Sequence, residues 1–581
     1  MEQLIFDHLD KYVSAPLSDV PVKDKWQKIS YSADGKEGVM LFASELSRPE
    51  AIELDLKVEG VYRIYICLGY VAGASAVEIS LSDGSGKTCL NPSFLEWVNG
   101  YARWQACEYA EEGYFKTADL TDKKIIFNKP YKSDAGEFGA RFSSCILYIR
   151  LEKPTEKELE EFYAPTNKKT VAYHFDGDYF AECEYKSVED YLGRLDMLTG
   201  GNGETLVHEV DNLSFYFSPG ENDFYTAYSK HRECAMRPFF KHKDEIIKAI
   251  YDKAKTMGMN VLGGIRMNLC DFNIPNNTIY GFNGKYPDLR AVLRNGKQAD
   301  FYSYAYPETR KLMIDHILES LPTYFDGVSL FFCRGGFVLF DKPVIDDVKR
   351  LYGVDARRLP FADERLNSVI CSYLTQFMRE LKRALDERAE KENRNKYHIN
   401  VVVLFDLVSS KNFGYDVKTW AKEGLIDSVS QGLMTYYEDL DGVMAKDGLI
   451  DLRKYIEKEK KYVLVKRYYG DEEKYVIGPI DGFLKIKEKY GTEFYATLPW
   501  ESRPYEYYLT IAKKHYEKGV TKFILWNANH TARRLPAINA CKLAGDKEKL
   551  EKADVSALRK TLKINSLNGF TKVEFDANWK G

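Results

Sequence analysis

The sequence predicts an α/β chain in which a closed (β/α)8 barrel follows an N-terminal β-sandwich of jelly-roll type. Three observations predict it. Up to Leu151 the pattern is short alternating strands broken by turn residues, with no helical periodicity. From Val171 onward, apolar strand runs alternate with long amphipathic helices, which is the signature of βα units around a parallel sheet. Eight such units can be counted, and no glycine-rich turn follows the first of them, which favours a closed barrel over a doubly wound sheet.

The elements follow in chain order. The first region, 1–153, carries the runs AIELDLKV, YRIYICLGY, AVEISLSD, KKIIFN and SSCILYIRLE. Punctuated by Gly, Asp and Ser, such strands suit two packed antiparallel layers, a fold that serves either as a carbohydrate-binding face or as a brace. Residues 154–170 are charged and proline-bracketed, and read as a short helix and linker. The barrel, 171–549, has its strands at 171–176, 204–210, 260–268, 325–334, 398–406, 425–432, 492–500 and 521–527. Amphipathic helices are predicted at 243–258, 306–321, 364–390, 416–424 and 505–519. Two stretches read as insertions: a loop rich in Asn, Gly and Tyr over 271–305, and a hairpin over 462–480. The extension 550–581 ends in a strand-like piece predicted to pack back on one of the two domains.

Composition removes several classes of partner. At 581 residues the chain is too long for one ordinary core, so more than one packing unit is expected. Its 83 basic and 87 acidic residues leave a net charge of −4 with both signs scattered, which argues against nucleic acid or an anionic membrane as partner. No apolar run approaches the roughly 20 residues of a membrane-spanning helix. The ten cysteines form no C-x-x-C pair and no compact cluster, so they read as reduced core thiols and predict no structural zinc. The start, MEQLIFDHLDKYV, lacks the basic and long apolar regions of a secretory signal, which predicts a cytoplasmic protein, or a secreted one where a signal has been removed. The 42 Tyr, 32 Phe and 7 Trp are a surplus suited to β layers and to sites that stack flat, weakly polar ligands such as sugars.

Topology then selects the residues to question, because the active site of such a barrel lies at the C-terminal ends of its strands. Strand one ends in Asp176 and Asp178, strand two in Glu209 and Asp211, and strand three in Arg266 and Asn268. Strand four ends in Arg334, strand five in Asp406, strand seven in Trp500 and Glu501, and strand eight in Trp526, Asn527, Asn529 and His530. Carboxylates, guanidinium groups, amides and indoles on one rim suit a carbohydrate: indole faces stack on sugar C–H faces, amides and arginines bind hydroxyls, and paired carboxyls cleave the glycosidic bond. Each residue also has a plain structural explanation. The carboxylates cap the next helix, the arginines pair with them, the tryptophans pack the rim, and His530 is a loop histidine.

RMN at the end of strand three, DGVSLFFCRG at strand four, GYDVKTWAKEGLID before strand six and KGVTKFILWN at strand eight carry a likeness. Over about 170 to 545 the chain resembles bacterial glycoside-hydrolase-like barrel proteins of the family-10-like kind, which often have a β-sandwich in front. The resemblance implies a glycosidase without organic cofactor. Many members carry RMND after strand three and DG-x-E-L-D-F-x-R at strand four. This chain keeps Arg266 and Arg334 but has Leu269, Ser329 and Phe331 where the acids would fall.

A replacement pair follows from spacing. Strands two and seven lie three apart around the ring, so Glu209 and Glu501 are placed to face one another across the cleft, with Asp406 as reserve. Within strand two, Glu209 and Asp211 alternate onto the same face, and their repulsion would favour a protonated acid. The leading expectation is a glycoside hydrolase acting on an oligosaccharide, polysaccharide or glycoconjugate, with no cofactor and no metal ion. The alternatives are a non-catalytic carbohydrate-binding protein on a barrel that has lost its strand-four acids, and a barrel enzyme of another class such as a lyase or metal-assisted hydrolase, for which His174, Asp176 and Asp178 leave room.

Overall fold

The computed structural model describes the chain apart from 1–2, 45–46, 70–75, 85–87, 93–95, 99–100, 104–108, 130–142, 164–167, 176–201 (where only Val188, Leu192, Leu195 and Leu198 are described), 211–242, 268–285, 334–336, 361, 433–479, 499–504, 527, 529–533, 536–542, 554–558 and 569–581. Eight parallel strands close into a barrel in chain order: Val171–Phe175, Gly203–Glu209, Asn260–Arg266, Gly327–Phe331, His398–Val403, Ser428–Gln431, Glu493–Leu498 and Phe523–Leu525. The last strand pairs with the first, Val171 beside Phe523 and Tyr173 beside Leu525. Seven of them fall within a predicted run, and the second begins one residue before its run. Strands covered by helices outside and by side chains inside are apolar on both faces, so they read as nearly continuous apolar stretches.

Alternation along each strand divides two environments. In the first strand Val171, Tyr173 and Phe175 face outward into a cluster with the helices Lys243–Thr256, Pro307–Ser320 and Glu364–Lys391, through Ile246, Ile250, Met313, Leu374 and Phe377. Ala172 faces inward, where Val207, Leu262, Phe331, Val402, Ile524 and Trp526 fill the barrel. Strands four to six add a buried polar ladder inside. The Ser329 hydroxyl donates to Asn400 Oδ1 at 2.8 Å, and Asn400 Nδ2 donates to Ser428 Oγ at 2.8 Å and to Ser430 Oγ at 3.1 Å. At the N-terminal end Lys522 lies 2.7 Å from Glu204 and 3.3 Å from Glu493. Helices Val417–Lys422 and Tyr505–Glu517 also match prediction, whereas Lys342–Tyr352 and Asp481–Tyr490 were not foreseen. The first has proline near its start and ends on Gly353 at φ 70°, a stop signal that its shortness hid.

Two further sheets, mostly antiparallel, are built mainly from residues ahead of the barrel. Seven strands run in the order Gln3–Phe6, Ser144–Glu152, Lys36–Ala43, Gln27–Ala33, Arg559–Asn568, Tyr109–Asp119 and Val61–Gly69. Ser144–Glu152 also pairs with Val61–Gly69, so the sheet curls back on itself around Ile29, Met40, Phe42, Leu147, Leu562 and Ile564. The C-terminal strand Arg559–Asn568 is a full member, antiparallel to both Gln27–Ala33 and Tyr109–Asp119. The sheet is therefore completed by the end of the chain. Its other face shares a core with a second sheet: Leu41, Ile64, Ile66 and Ile149 cluster with Ile52, Val77, Ile79 and Phe127. Arg534–Leu535, beyond the eighth barrel strand, pairs with Asn91 and Pro92 at the edge of that second sheet.

Within the insertion after strand three, the hairpin Arg290–Val292 with Gln298–Tyr302 is pinned by one buried carboxyl. Asp341 accepts from Val292 N at 2.6 Å, Ser303 Oγ at 2.5 Å and Leu339 N at 3.0 Å. Its burial raises the pKa to about 6, against the opposing pull of those bonds. A carboxyl whose folded pKa exceeds its unfolded one stabilises the fold most below the unfolded value of 3.8, and that contribution is lost as pH rises through about 6. Asp341→Asn should therefore flatten the pH dependence of stability between about pH 4 and 6, by about 3 kcal/mol at most, in urea titrations beside the native chain.

Candidate functional site

Three adjacent strands meet at one carboxylate. Register sets His174 beside Val207 and Glu209 beside Gly264, so the inward residues His174, Glu209 and Arg266 converge at the C-terminal end of the barrel. His174 Nε2 donates to Glu209 Oε1 at 2.9 Å. Arg266 donates from Nε to Oε2 at 2.7 Å and from Nη2 to Oε1 at 3.4 Å. The Glu209 and His174 side chains are 3% and 2% exposed, and Arg266 is 22% exposed. A carboxylate this deep requires a cation and donors on its oxygens, and it has both.

The imidazole is enclosed by rings. Trp526 lies 4.6 Å from it at 56°, and Phe331 presents itself at 5.0 Å and 86°. Phe331 enters because Gly264 has no side chain: a Cβ there would meet the Phe331 ring at 2.8 Å and Glu209 Cα at 3.1 Å. Two residues before Phe331 on strand four, Ser329 belongs to the ladder with Asn400. Both strand-four side chains are thus part of the barrel packing.

Four of the predicted site residues lie within the described residues. Glu209 and Arg266 are brought together directly. Trp526, expected to stack on a sugar at the rim, sits one layer deeper: it is 7% exposed, packs on His174 and Phe331, and donates from Nε1 to Gln431 O at 3.4 Å. Asp406 takes the structural part foreseen for strand-end carboxylates, capping the helix Leu407–Asn412 by accepting from Ser409 N at 2.7 Å. Asp176, Asp178, Asp211, Asn268, Arg334, Trp500, Glu501, Asn527, Asn529 and His530 lie outside the described residues. His174 was noted only as room for a metal; its inward place, two residues after Ala172, was the signal for more. Among the described residues no group of three or more His, Cys, Asp or Glu is placed to hold a metal ion.

No protein-family model matches the chain, and no curated protein matches its sequence. Among solved structures it is similar to the glycoside hydrolase domain of PgaB (BpsB) from Bordetella bronchiseptica, at 12% identity over 65% of this chain and 99% of that one, with a TM-score of 0.38. It is similar to the glycoside hydrolase domain of PelA from Pseudomonas aeruginosa, at 12% identity over 62% and 96%, with a TM-score of 0.28. The α-galactosidase TtGalA from Thermus thermophilus, in complex with stachyose, matches at 10% identity over 89% and 99%, with a TM-score of 0.30. The closed barrel follows from the strand register alone.

Because Trp526 is packed into the barrel mouth, Trp526→Ala should cost about 3–5 kcal/mol of stability in denaturant titrations. A tryptophan standing free at the rim would cost almost none.

Proposed function

We propose that the chain is a glycoside hydrolase whose cleft lies at the C-terminal ends of the barrel strands. The observation that carries this reading is the Glu209 carboxylate, gripped on both oxygens by His174 and Arg266 at the end of a barrel strand. A reacting carboxylate has to be held in one orientation, and a three-strand clamp of this kind does that. Bonded to a guanidinium, Glu209 suits a nucleophile or base better than a proton donor. The acid then comes from another strand end.

Ser329 and Phe331 cannot ionise, so strand four supplies neither partner. Glu501, at the end of strand seven and three strands from strand two, is the acid of choice; Asp406, engaged as a helix cap, is the second. A separation of about 5–5.5 Å between the two carboxyls would make the enzyme retaining, and about 6.5–9.5 Å inverting. Asp176, Asp178, Asp211, Asn268, Arg334, Asn527, Asn529 and His530 supply hydroxyl-binding groups, and Trp500 a stacking face. Arg266 is neutralised by Glu209, which leaves Arg334 as the cation for any acidic sugar. The chain divides into a sandwich-like region of 1–153, possessing a second carbohydrate-binding face or serving as brace, a linker of 154–170, the barrel of 171–549 and the extension 550–581. Cofactor is not required by this chemistry.

A binding protein without catalysis is the second reading, favoured by Phe331, which stands where the resemblance would put an acid and whose ring packs on His174. A panel of aryl glycosides and polysaccharides, with products identified by mass, separates the two. Turnover should fall at least about a hundredfold in Glu209→Gln. Folded native protein that binds sugars in calorimetry and turns over none of the panel would establish the second reading.

A further inference from the structure

Strand six contributes none of the candidate residues, yet its last residue touches the strand ends that carry them. The register between strands six and seven ends at Ser430 with Tyr495. Beyond that point the Gln431 side chain takes over. Its Oε1 accepts from Thr497 N at 3.2 Å, and its Nε2 donates to Phe405 O at 2.8 Å. Its own carbonyl accepts from Trp526 Nε1 at 3.4 Å, so the indole reaches past strand seven from strand eight. Gln431 is fully buried, and Thr497 and Phe405 precede Glu501 and Asp406 by four residues and one.

We propose that Gln431 is a positioning residue for the reaction at the barrel mouth, an inference that rests on the glycosidase reading. A primary amide carries its donor and its acceptor on two separate atoms, so it donates to Phe405 O and accepts from Thr497 N at the same time. Its two bonds tie strand six to strands five and seven just past the last backbone pair of strands six and seven, and fix the spacing of the three strands at that level. The backbone carbonyl that those two side-chain bonds hold in place accepts from Trp526 Nε1, the indole packs on His174, and His174 holds Glu209 Oε1, the proposed reacting group. Loosening this contact therefore acts on both walls of the cleft. A displacement of about 1 Å at a reacting carboxyl is enough for a loss on the order of a hundredfold in turnover.

The test uses the full chain, with the hydrolysed aryl glycoside from the panel as probe. Gln431→Met keeps the length and removes both polar contacts, while Gln431→Glu keeps only the acceptor for Thr497 N. In Gln431→Met, kcat should fall on the order of a hundredfold with KM changed less than about threefold, and Gln431→Glu should recover part of that loss. Fluorotryptophan-labelled protein supplies a readout independent of activity. The fluorine resonance of Trp526, assigned with Trp526→Phe, should move in Gln431→Met while the other tryptophan resonances stay in place, which also reports that the fold is kept. Native kcat in Gln431→Met, or an unmoved Trp526 resonance, overturns the proposal. Should the native chain hydrolyse none of the panel, the glycosidase reading falls by itself, and the Trp526 resonance alone decides whether Gln431 sets the barrel mouth.

Discussion

The barrel mouth is organised by the need to keep one ionised carboxylate, Glu209, out of water. Removing such a group from solvent is costly, and only a close cation with well-aimed donors offsets it. Arg266 supplies the charge from strand three and His174 supplies a donor from strand one. Their arrival fixes the relative rotation of three strands. The remaining features follow: His174 has to be shielded, so Phe331 and Trp526 close on it, and Phe331 has to be admitted, so Gly264 stays without a side chain. Removing one member of a buried pair commonly costs more than the pair contributes, so this arrangement constrains the sequence even where it adds little stability.

Two kinds of packing meet in the chain. The barrel buries apolar faces against its helices but carries a polar ladder through Ser329, Asn400, Ser428 and Ser430 within. The curled sheet before it depends on a strand from the other end of the sequence, with Leu562 and Ile564 in its core. Arg534–Leu535 joins the connection after barrel strand eight to the second sheet.

The eight barrel strands were legible because a strand buried on both sides writes itself as an apolar run. Gln27–Ala33 and Tyr109–Asp119 were not: QKISYSA has only Ile29, Tyr31 and Ala33 as apolar residues, YAEEGYFKTAD is broken by Glu111, Glu112, Lys116 and Asp119, and the strand that both pair with, Arg559–Asn568, is distant in sequence. Glu209 was legible as a carboxylate at a strand end. Its clamp was not, because which inward residues of neighbouring strands stand level depends on register, and register is absent from a single sequence. Trp526 was read one layer too shallow for the same reason, and Gln431 carried no local signal beyond a polar residue at the end of an apolar strand. Asp406 shows the opposite case: a short helix cap has a local signature, and its plain explanation is the one the geometry displays.

The most direct measurement is turnover of an aryl glycoside by Glu209→Ala in the presence and absence of sodium azide, with products identified by mass. If Glu209 is the nucleophile or base, the variant is inactive alone, and azide restores turnover and appears in the product as a glycosyl azide. Native-level turnover by Glu209→Ala without azide would contradict the account.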